Sequence, residues 1–222
     1  MTRRLSAKEA DLAAAAEPTT WQAQKSASTR NQIIEAAIKC FVDLGYSRTT
    51  TTAIAEKAGL SRGAMLHHFP SKIDIVRAAV EYLHSKRLKA FRKAISRLSP
   101  QDTERVHRSV EAYWQQVRHP MFVAFFELSV AARTDPELAA ILKPAQEAFD
   151  REWYDTAVDV FPEWKGRHEQ FDLALDLSHY LIEGMAVNLM MHEPSERDRR
   201  LLRWLEQTLR ELVGRPAPAI PE

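Results

Sequence analysis

The residues with the clearest chemical potential lie around the tetrapeptide Ala58-Gly59-Leu60-Ser61, between two short predicted helices. A tight turn of this kind is typical of a helix-turn-helix, in which glycine supplies a backbone angle that a Cβ disfavours. Ser61 would begin the second helix, whose free backbone N–H groups can meet a phosphate, and Arg62 lies beside that end. In such motifs the first turns of the second helix contact base edges in the DNA major groove. The pattern therefore indicates nucleic-acid recognition.

The candidates for DNA contact are spread over this segment and its flanks. Those at the second helix are Ser61, Arg62, Gly63, Ala64, Met65 and His67. Thr50 and Thr51, which begin the preceding helix, and Lys72, which follows the second, are placed for backbone phosphates. Two ordinary surface helices would show the same spacing, so the motif alone leaves that alternative open.

A metal site at the adjacent histidines His67 and His68 is not expected. Neighbouring residues on a helix point about 100° apart and converge poorly on one ion. Acid and cysteine clusters are also absent from the nearby sequence. We therefore expect neither a metal nor a cofactor.

Charge is distributed unevenly along the 222 residues, although the net charge is only +1. Residues 25–93 hold 13 Lys and Arg against 5 Asp and Glu, whereas residues 94–222 hold 15 against 22. A basic segment joined to an acidic one indicates that one end meets a polyanion, unless the segregation is chance surface charge.

Other features of the sequence exclude several protein classes. The sequence contains no run of about 18 apolar residues, so no transmembrane helix is expected, and the N-terminus does not read as a signal peptide. The single cysteine, Cys40, lies in an apolar helical pattern and is interpreted as a buried thiol. Motifs for phosphate loops, metalloproteases and serine hydrolases are missing, which argues against an enzyme. These features predict a cytoplasmic protein.

Helical periodicity dominates the chain, and alternating strand patterns are nearly absent. Turn and cap residues divide the sequence into about nine helices and predict an all-α fold. The predicted segments are Thr29 to Leu44, a helix capped by Thr50 or Thr51, Ser61 to about Phe69, Lys72 to about Leu98, about 102–117, a helix from His119-Pro120, Asp135 toward Val160 with a kink allowed at Pro144, about 166–191, and Ser195 to 213. Residues 1–27 are interpreted as a flexible arm and residues 215–222 as a disordered tail.

Residues 45–80 resemble the DNA-binding region of the TetR (tetracycline repressor) family. The matching residues are Gly45-Tyr46, Thr49-Thr50, Ile54-Ala55, Gly59-Leu60-Ser61, Gly63, Met65, His68-Phe69 and Lys72-Ile73-Asp74-Ile75. One departure is Leu66, which stands where the family usually has a tyrosine that contacts the DNA backbone. The neighbouring His67 is a candidate to compensate for that contact.

The resemblance implies two domains with distinct tasks. Residues 28–73 would form a three-helix helix-turn-helix domain that binds double-stranded DNA, and residues 74–214 a helical ligand-binding and dimerisation domain. The last two helices would build a four-helix bundle with a second copy. The candidates for this homodimer interface are Leu177, Leu181, Gly184, Met185, Leu201, Leu205 and Leu209, although a monomer could bury the same faces internally.

The middle helices would enclose a pocket for a small-molecule effector. Its candidate residues are Trp114, Phe125, Phe126, Glu127, Phe149, Trp153, His179 and Glu183. His179 and Glu183 are four residues apart and share a helix face, so they could bind a ligand, bind each other or lie at the dimer seam. We expect an apolar or aromatic effector, uncharged or weakly polar.

The resulting hypothesis is a dimeric, ligand-responsive repressor that binds a near-palindromic operator and is released by its effector. A ligand-independent DNA-binding protein is the main alternative, and a helical enzyme built on His179 and Glu183 is a weaker one. No sequence feature separates a repressor from an activator.

Overall fold

A computed structural model of the chain describes residues 7–96, 102–164 and 166–214. Within these ranges the chain forms nine α-helices and one short 3-10 helix, with no strand, which confirms the predicted all-α fold. The α-helices are α1 (Ala7–Leu44), α2 (Thr51–Lys57), α3 (Arg62–His68), α4 (Lys72–Ile95), α5 (Arg105–Val117), α6 (Pro120–Ala132), α7 (Pro136–Val160), α8 (His168–Asn188) and α9 (Glu196–Gly214), and the 3-10 helix is Pro162–Trp164.

The described residues divide into two compact units. The first contains α1, α2, α3 and the beginning of α4 and extends through Ala79, and the second begins at Val80. The division therefore falls six residues after the boundary that the sequence predicts between residues 73 and 74. It lies inside a continuous helix, which has no turn residue to mark the change of unit.

Local signals account for the short helices of the first unit. Thr50 Oγ1 accepts a hydrogen bond from the backbone N–H of Ala53, and Ser61 Oγ accepts one from that of Ala64, both at 3.1 Å. Each hydroxyl thus satisfies a donor that the first turn leaves without a helical partner. Between them, Gly59 adopts a φ of 66°, the left-handed conformation that the sequence predicts for this turn.

The first helix is longer than the apolar period predicts. It begins at Ala7, whereas the pattern of buried residues starts at Ile33, close to the predicted beginning at Thr29. The intervening sequence is rich in alanine, a strong helix former, so backbone propensity extends the helix beyond its packed part. Residues 1–6 of the predicted arm and the predicted tail at 215–222 lie outside the described residues.

The second unit contains two apolar clusters. One joins residues of α5, α6, α8 and α9, with Ile182 and Leu205 completely buried in it. The other joins the end of α7 and the beginning of α8 through Ala157, Phe171 and their neighbours. Helix α7 continues as one element across Pro144, where the sequence allows a kink.

Exchange of Gly59 for alanine tests the turn, because the new Cβ would meet nothing within 4 Å and only the backbone conformation resists it. We expect Gly59→Ala to lower the free energy of unfolding by about 1–2 kcal/mol, measured by urea denaturation. Gly63→Ala is the matched control, since its Cβ also enters open space but its φ is not positive. The control should raise stability by roughly 0–1 kcal/mol. Equal effects of the two substitutions would contradict the strain argument.

Candidate nucleic-acid interface and ligand cavity

The exposed face of α3 carries most of the residues predicted to contact DNA. Five of these residues are exposed in the structure, namely Ser61, Arg62, Gly63, Ala64 and His67. They occupy the cap, the first turn and the next turn of one seven-residue helix, so they form a single continuous surface. This surface offers a guanidinium, a hydroxyl and an imidazole. The small side chains of Gly63 and Ala64 leave room for a binding partner to come close to the helix backbone.

Met65 does not belong to that surface, which corrects the sequence prediction. Its side chain is completely buried. The residue lies on the inner face of α3, where it joins the core of the first unit with Phe69 and Ile54, which are buried as well. A side chain in that position supports the helix and cannot reach a base edge.

The other predicted phosphate contacts differ in their environment. Thr50 is exposed and caps α2, and Thr51 is half-buried in its first turn. The Lys72 ammonium donates to the backbone carbonyl of Tyr46 at 2.7 Å and lies 3.8 Å from the centroid of that ring. Lys72 therefore also links the start of α4 to the segment before α2.

A cavity of about 540 Å³ lies within the second unit. Its walls come from α4, α5, α6, α7, α8, α9 and the 3-10 helix, and ten of the 25 lining residues are Phe, Tyr or Trp. Five of the eight predicted ligand residues line it, namely Phe125, Phe149, Trp153, His179 and Glu183.

The remaining three predicted ligand residues lie elsewhere, so these assignments were wrong. Trp114 is buried in the apolar cluster with Phe122, on a different side of α5 from the cavity. Phe126 stacks on Phe122 with ring centroids 6.3 Å apart, and Glu127 is half-buried outside the cavity. Aromatic residues at helical spacing can serve a core as well as a cavity; here Trp114 belongs to the core, and the half-buried Phe126 packs on the core residue Phe122.

Glu183 is the centre of the polar end of the cavity. Its Oε1 accepts hydrogen bonds from Arg87 Nη2 at 3.1 Å and from the Tyr113 hydroxyl at 3.0 Å. Its Oε2 lies 3.2 Å from His179 Nε2, one turn earlier on α8. The predicted pairing of His179 with Glu183 thus exists, together with two partners from α4 and α5 that the sequence did not indicate.

These contacts change the ionisation of the polar group. Burial would raise the pKa of Glu183, but the hydrogen bond from His179 and the positive charges of His179 and Arg87 outweigh it and lower the pKa. The hydrogen bond to Glu183 raises the pKa of His179 above 6.5. Burial and the adjacent Glu183 carboxylate raise the pKa of Tyr113, so its hydroxyl remains a donor.

His84 behaves in the opposite way from His179. Burial and the neighbouring Arg87 charge lower the pKa of His84 to about 4, so its imidazole is neutral at neutral pH. The ring lies against Phe125 and Phe149, with centroids 5.3 and 4.8 Å away. It is therefore an aromatic packing partner of the polar end and adds no charge there.

One face of α7 supplies cavity residues that the sequence interpretation missed. Besides the predicted Phe149 and Trp153, this face contributes four residues that were not predicted, namely Gln146, Asp150, Tyr154 and Ala157. Their spacing of three and four residues is the helical period, and it could have identified Gln146 and Asp150 once Phe149 and Trp153 were singled out.

The predicted dimer residues fall into three environments. Met185 and Leu205 are buried within the chain, so they belong to its own core, which corrects their assignment to a subunit interface. Leu177, Leu181, Leu201 and Leu209 are partly buried against that core, and Gly184 is exposed. The large apolar side chains most exposed on α8, α9 and the segment between them are Leu173, Tyr180, Met190, Met191 and Trp204, none of which the sequence singled out.

Metal clusters and membrane spans are both absent from the described part of the chain. No group of three or more His, Cys, Asp or Glu side chains in residues 7–96, 102–164 and 166–214 is arranged to hold a metal ion. Over the same ranges, no helix combines the length and apolar character that a membrane span requires.

Comparison with known proteins gives consistent results. A family model described as bacterial regulatory proteins of the tetR family matches residues 33–79, which contain α2, α3 and most of the packed part of α1. The chain is 25% identical over 171 residues to an uncharacterised HTH-type transcriptional regulator of Mycobacterium tuberculosis, covering 75% of this chain and 85% of the relative. It is 46% identical over 61 residues to the HTH-type transcriptional regulator TtgR of Pseudomonas putida, covering 28% of this chain and 29% of that protein.

Solved structures show the same fold. A crystal structure of a TetR-family transcriptional regulator from Rhodococcus sp. aligns with a TM-score of 0.65 at 20% sequence identity. The alignment covers 84% of this chain and 99% of that one. These relatives are regulators, so the enzyme alternative based on His179 and Glu183 has no support.

Loss of the Glu183 charge tests the network around His179. In Glu183→Gln the pKa of His179 should fall, because burial and Arg87 lower it and only the weaker effect of Asp150 still raises it. Histidine NMR signals during a pH titration measure this change. Since the folded pKa of His179 exceeds 6.5, its contribution to stability is complete below pH 6.5 and is lost as the pH rises through the folded pKa.

Glu206→Gln is the control for that titration, because Glu206 pairs with a different histidine, His107, at 2.8 Å. The control should leave the His179 signal unchanged. An unaltered His179 pKa in Glu183→Gln would contradict the network.

Proposed function

We propose that this chain, which belongs to the tetR family of bacterial regulatory proteins, is a ligand-responsive repressor in the cytoplasm. It binds a near-palindromic operator as a homodimer, and a small apolar or aromatic effector releases it. The observation that carries the proposal is the exposed face of α3, presented by a helix-turn-helix inside the basic segment of the chain.

The α3 surface suits the major groove. Arg62 can donate two parallel hydrogen bonds to a guanine edge, and the Ser61 hydroxyl and Thr50 are placed for backbone phosphates. Leu66 is half-buried where the family usually has tyrosine, whereas His67 next to it is exposed. We assign the missing polar contact to His67.

The exposed apolar side chains of α8 and α9 support dimerisation. On α8, Leu173, Leu177, Tyr180 and Gly184 follow one another at intervals of three or four residues, and therefore share one helix face. On α9, Trp204 is 52% exposed. Contiguous exposed apolar faces often mark protein–protein contacts, and Gly184, where an added Cβ would meet nothing within 4 Å, would permit close approach of a second copy. Two-fold symmetry would then match two half-sites of the operator.

Helix α4 supports coupling between ligand and DNA. It runs without interruption from Lys72 in the first unit to Ile95 in the second, and it carries Phe91, which lines the cavity, and Arg87, which pairs with Glu183. A ligand that prefers the conformation unsuited to DNA shifts the population toward it. Coupling of about 1–3 kcal/mol would weaken operator binding roughly 5- to 150-fold.

The alternatives make different predictions about the same experiment. Selection of genomic DNA fragments at two salt concentrations should yield a near-palindromic site with steep salt dependence. A ligand-independent DNA-binding protein would bind the same site but would not respond to a ligand that occupies the cavity. An activator would differ from a repressor only in the transcriptional output of the bound site. Failure to enrich any sequence would overturn the proposal.

Removal of the Arg62 guanidinium tests the DNA surface. Arg62→Ala should weaken operator binding by about 1–3 kcal/mol, measured by fluorescence anisotropy, because a bidentate base contact is lost. Lys89→Ala is the control, since it removes one exposed positive charge from α4 in the second unit. Equal affinity of both variants for the operator would exclude Arg62 from the contact surface.

A charge at Trp204 tests the dimer. Trp204→Glu should produce a monomer at micromolar concentration in sedimentation velocity, with unchanged helical content because the side chain is already exposed. Val130→Glu, at a residue of α6 that is 49% exposed, is the control and should sediment as the wild type does. A wild-type monomer, or a dimeric Trp204→Glu variant, would refute the assigned interface.

A further inference from the structure

Most of the ionisable side chains that line the cavity are acidic. Among the described residues in its walls there are three carboxylates, on Asp150, Asp176 and Glu183, and neither a lysine nor an arginine. His179 is the one basic side chain in this set. An anionic ligand would therefore face like charges, and it would find no exposed cation with which to pair.

The three carboxylates are not equivalent. Glu183 already accepts hydrogen bonds from Arg87 and Tyr113 and pairs with His179, so both of its carboxylate oxygens have partners within the protein. Asp150 and Asp176 are both exposed at the cavity wall. Asp150 accepts a hydrogen bond from Gln146 Nε2 at 2.6 Å, and no ion pair to it exists among the described residues. Asp150 shares a face of α7 with two cavity-lining aromatic residues, Trp153 and Tyr154, and is therefore the carboxylate that we assign to a charged partner.

Aromatic residues line the cavity on the same face of α7 as Asp150. Trp153 and Tyr154 follow Asp150 by three and four residues on α7, so their side chains lie on the same helix face and line the cavity with it. Phe91 stacks on one face of the Trp153 ring at a centroid distance of 3.8 Å, and the ring centroids of Tyr113 and Phe149 are 5.1 and 5.6 Å from that of Trp153. The faces of such rings are electron-rich and attract cations.

The positive charges nearby do not fill this position. Arg87 is buried and outside the cavity wall, and its guanidinium is held by Glu183 and lies over the Phe149 ring at 4.5 Å. His179 is directed to Glu183 Oε2. Partial burial is the main cause that raises the pKa of Asp150, while the hydrogen bond from Gln146 and the charges of His179 and Arg87 act in the opposite direction without reversing it. A cation in direct contact with the carboxylate would stabilise its charged form further.

We propose that the effector of this cavity is an aromatic or apolar organic cation, a protonated amine or a quaternary ammonium compound, whose charge pairs with Asp150 between Trp153 and Tyr154. This inference rests on the proposed function for its regulatory meaning, but the binding site itself does not. It differs from the uncharged ligand that the sequence favoured, because only the structure brings Asp150 into the aromatic wall.

Three phenylalkyl probes of similar length test the charge preference. They are phenylbutyl-trimethylammonium, phenylbutanol and phenylpentanoate, and isothermal titration with the full-length protein measures their affinities. The cation should bind about tenfold more tightly than the alcohol, and the carboxylate more weakly than both. Equal or tighter binding of the alcohol or the carboxylate, or binding of none of the three, would overturn the proposal.

Asp150→Asn should weaken the cation about tenfold and leave the alcohol unchanged, which also shows that the cavity of the variant is intact. Glu147→Gln is the matched control, because Glu147 is an exposed residue of α7 that does not line the cavity. Unchanged cation affinity in Asp150→Asn would likewise overturn the proposal.

A parallel measurement of operator binding separates this inference from the proposed function. If the cation binds through Asp150 but DNA binding is unaffected, the ligand class holds and the regulatory function fails. If the alcohol or the carboxylate releases the operator and the cation does not, the regulatory function holds and the ligand class fails.

Discussion

The second unit depends on one carboxylate. Glu183 on α8 is held by Arg87 from α4, by Tyr113 from α5 and by His179 from its own helix. A half-buried carboxylate beside a buried guanidinium is tolerated only when hydrogen bonds replace the lost water, and here three donors do so. Because each partner is fixed by the others, the network sets the relative positions of three helices at the polar end of the cavity. Loss of the Glu183 carboxylate would leave the buried Arg87 guanidinium and the Tyr113 hydroxyl without their shared acceptor.

A different constraint shapes the first unit, where α3 has only seven residues. A helix this short is held by its cap and by its buried side, since its own hydrogen bonds contribute little. Ser61 supplies the cap, while Met65 and Phe69 at the following C-cap position supply the buried contact. The other residues of α3 are not needed for packing and are exposed to solvent. The surface around Arg62 therefore consists of the residues that the core does not use.

Much of this architecture could be predicted from local signals, and the exceptions have a common physical cause. Caps and turn glycines such as Thr50, Ser61 and Gly59 act on their own backbone, so the sequence around them suffices to locate the helices. Assignment of a side chain to a core, a cavity or a subunit interface depends on distant helices. Trp114 and Trp153 look alike in sequence, yet one packs in the core and the other lines the cavity.

The same reasoning explains why the charge of the cavity was not evident from the sequence. His179 and Glu183 share a helix and suggest a polar pair, whereas the partner that satisfies Glu183, Arg87, lies 96 residues earlier. Once Arg87 is assigned to Glu183, two cavity-lining carboxylates remain without an ion pair among the described residues, Asp150 and Asp176, and Asp150 is the one that shares a face of α7 with Trp153. Arg87 lies on α4, far from His179 and Glu183 in the sequence, so no local pattern indicates that it balances the charge of Glu183. Electrostatic balance at the polar end of the cavity therefore depends on a side chain that only the folded chain brings to Glu183.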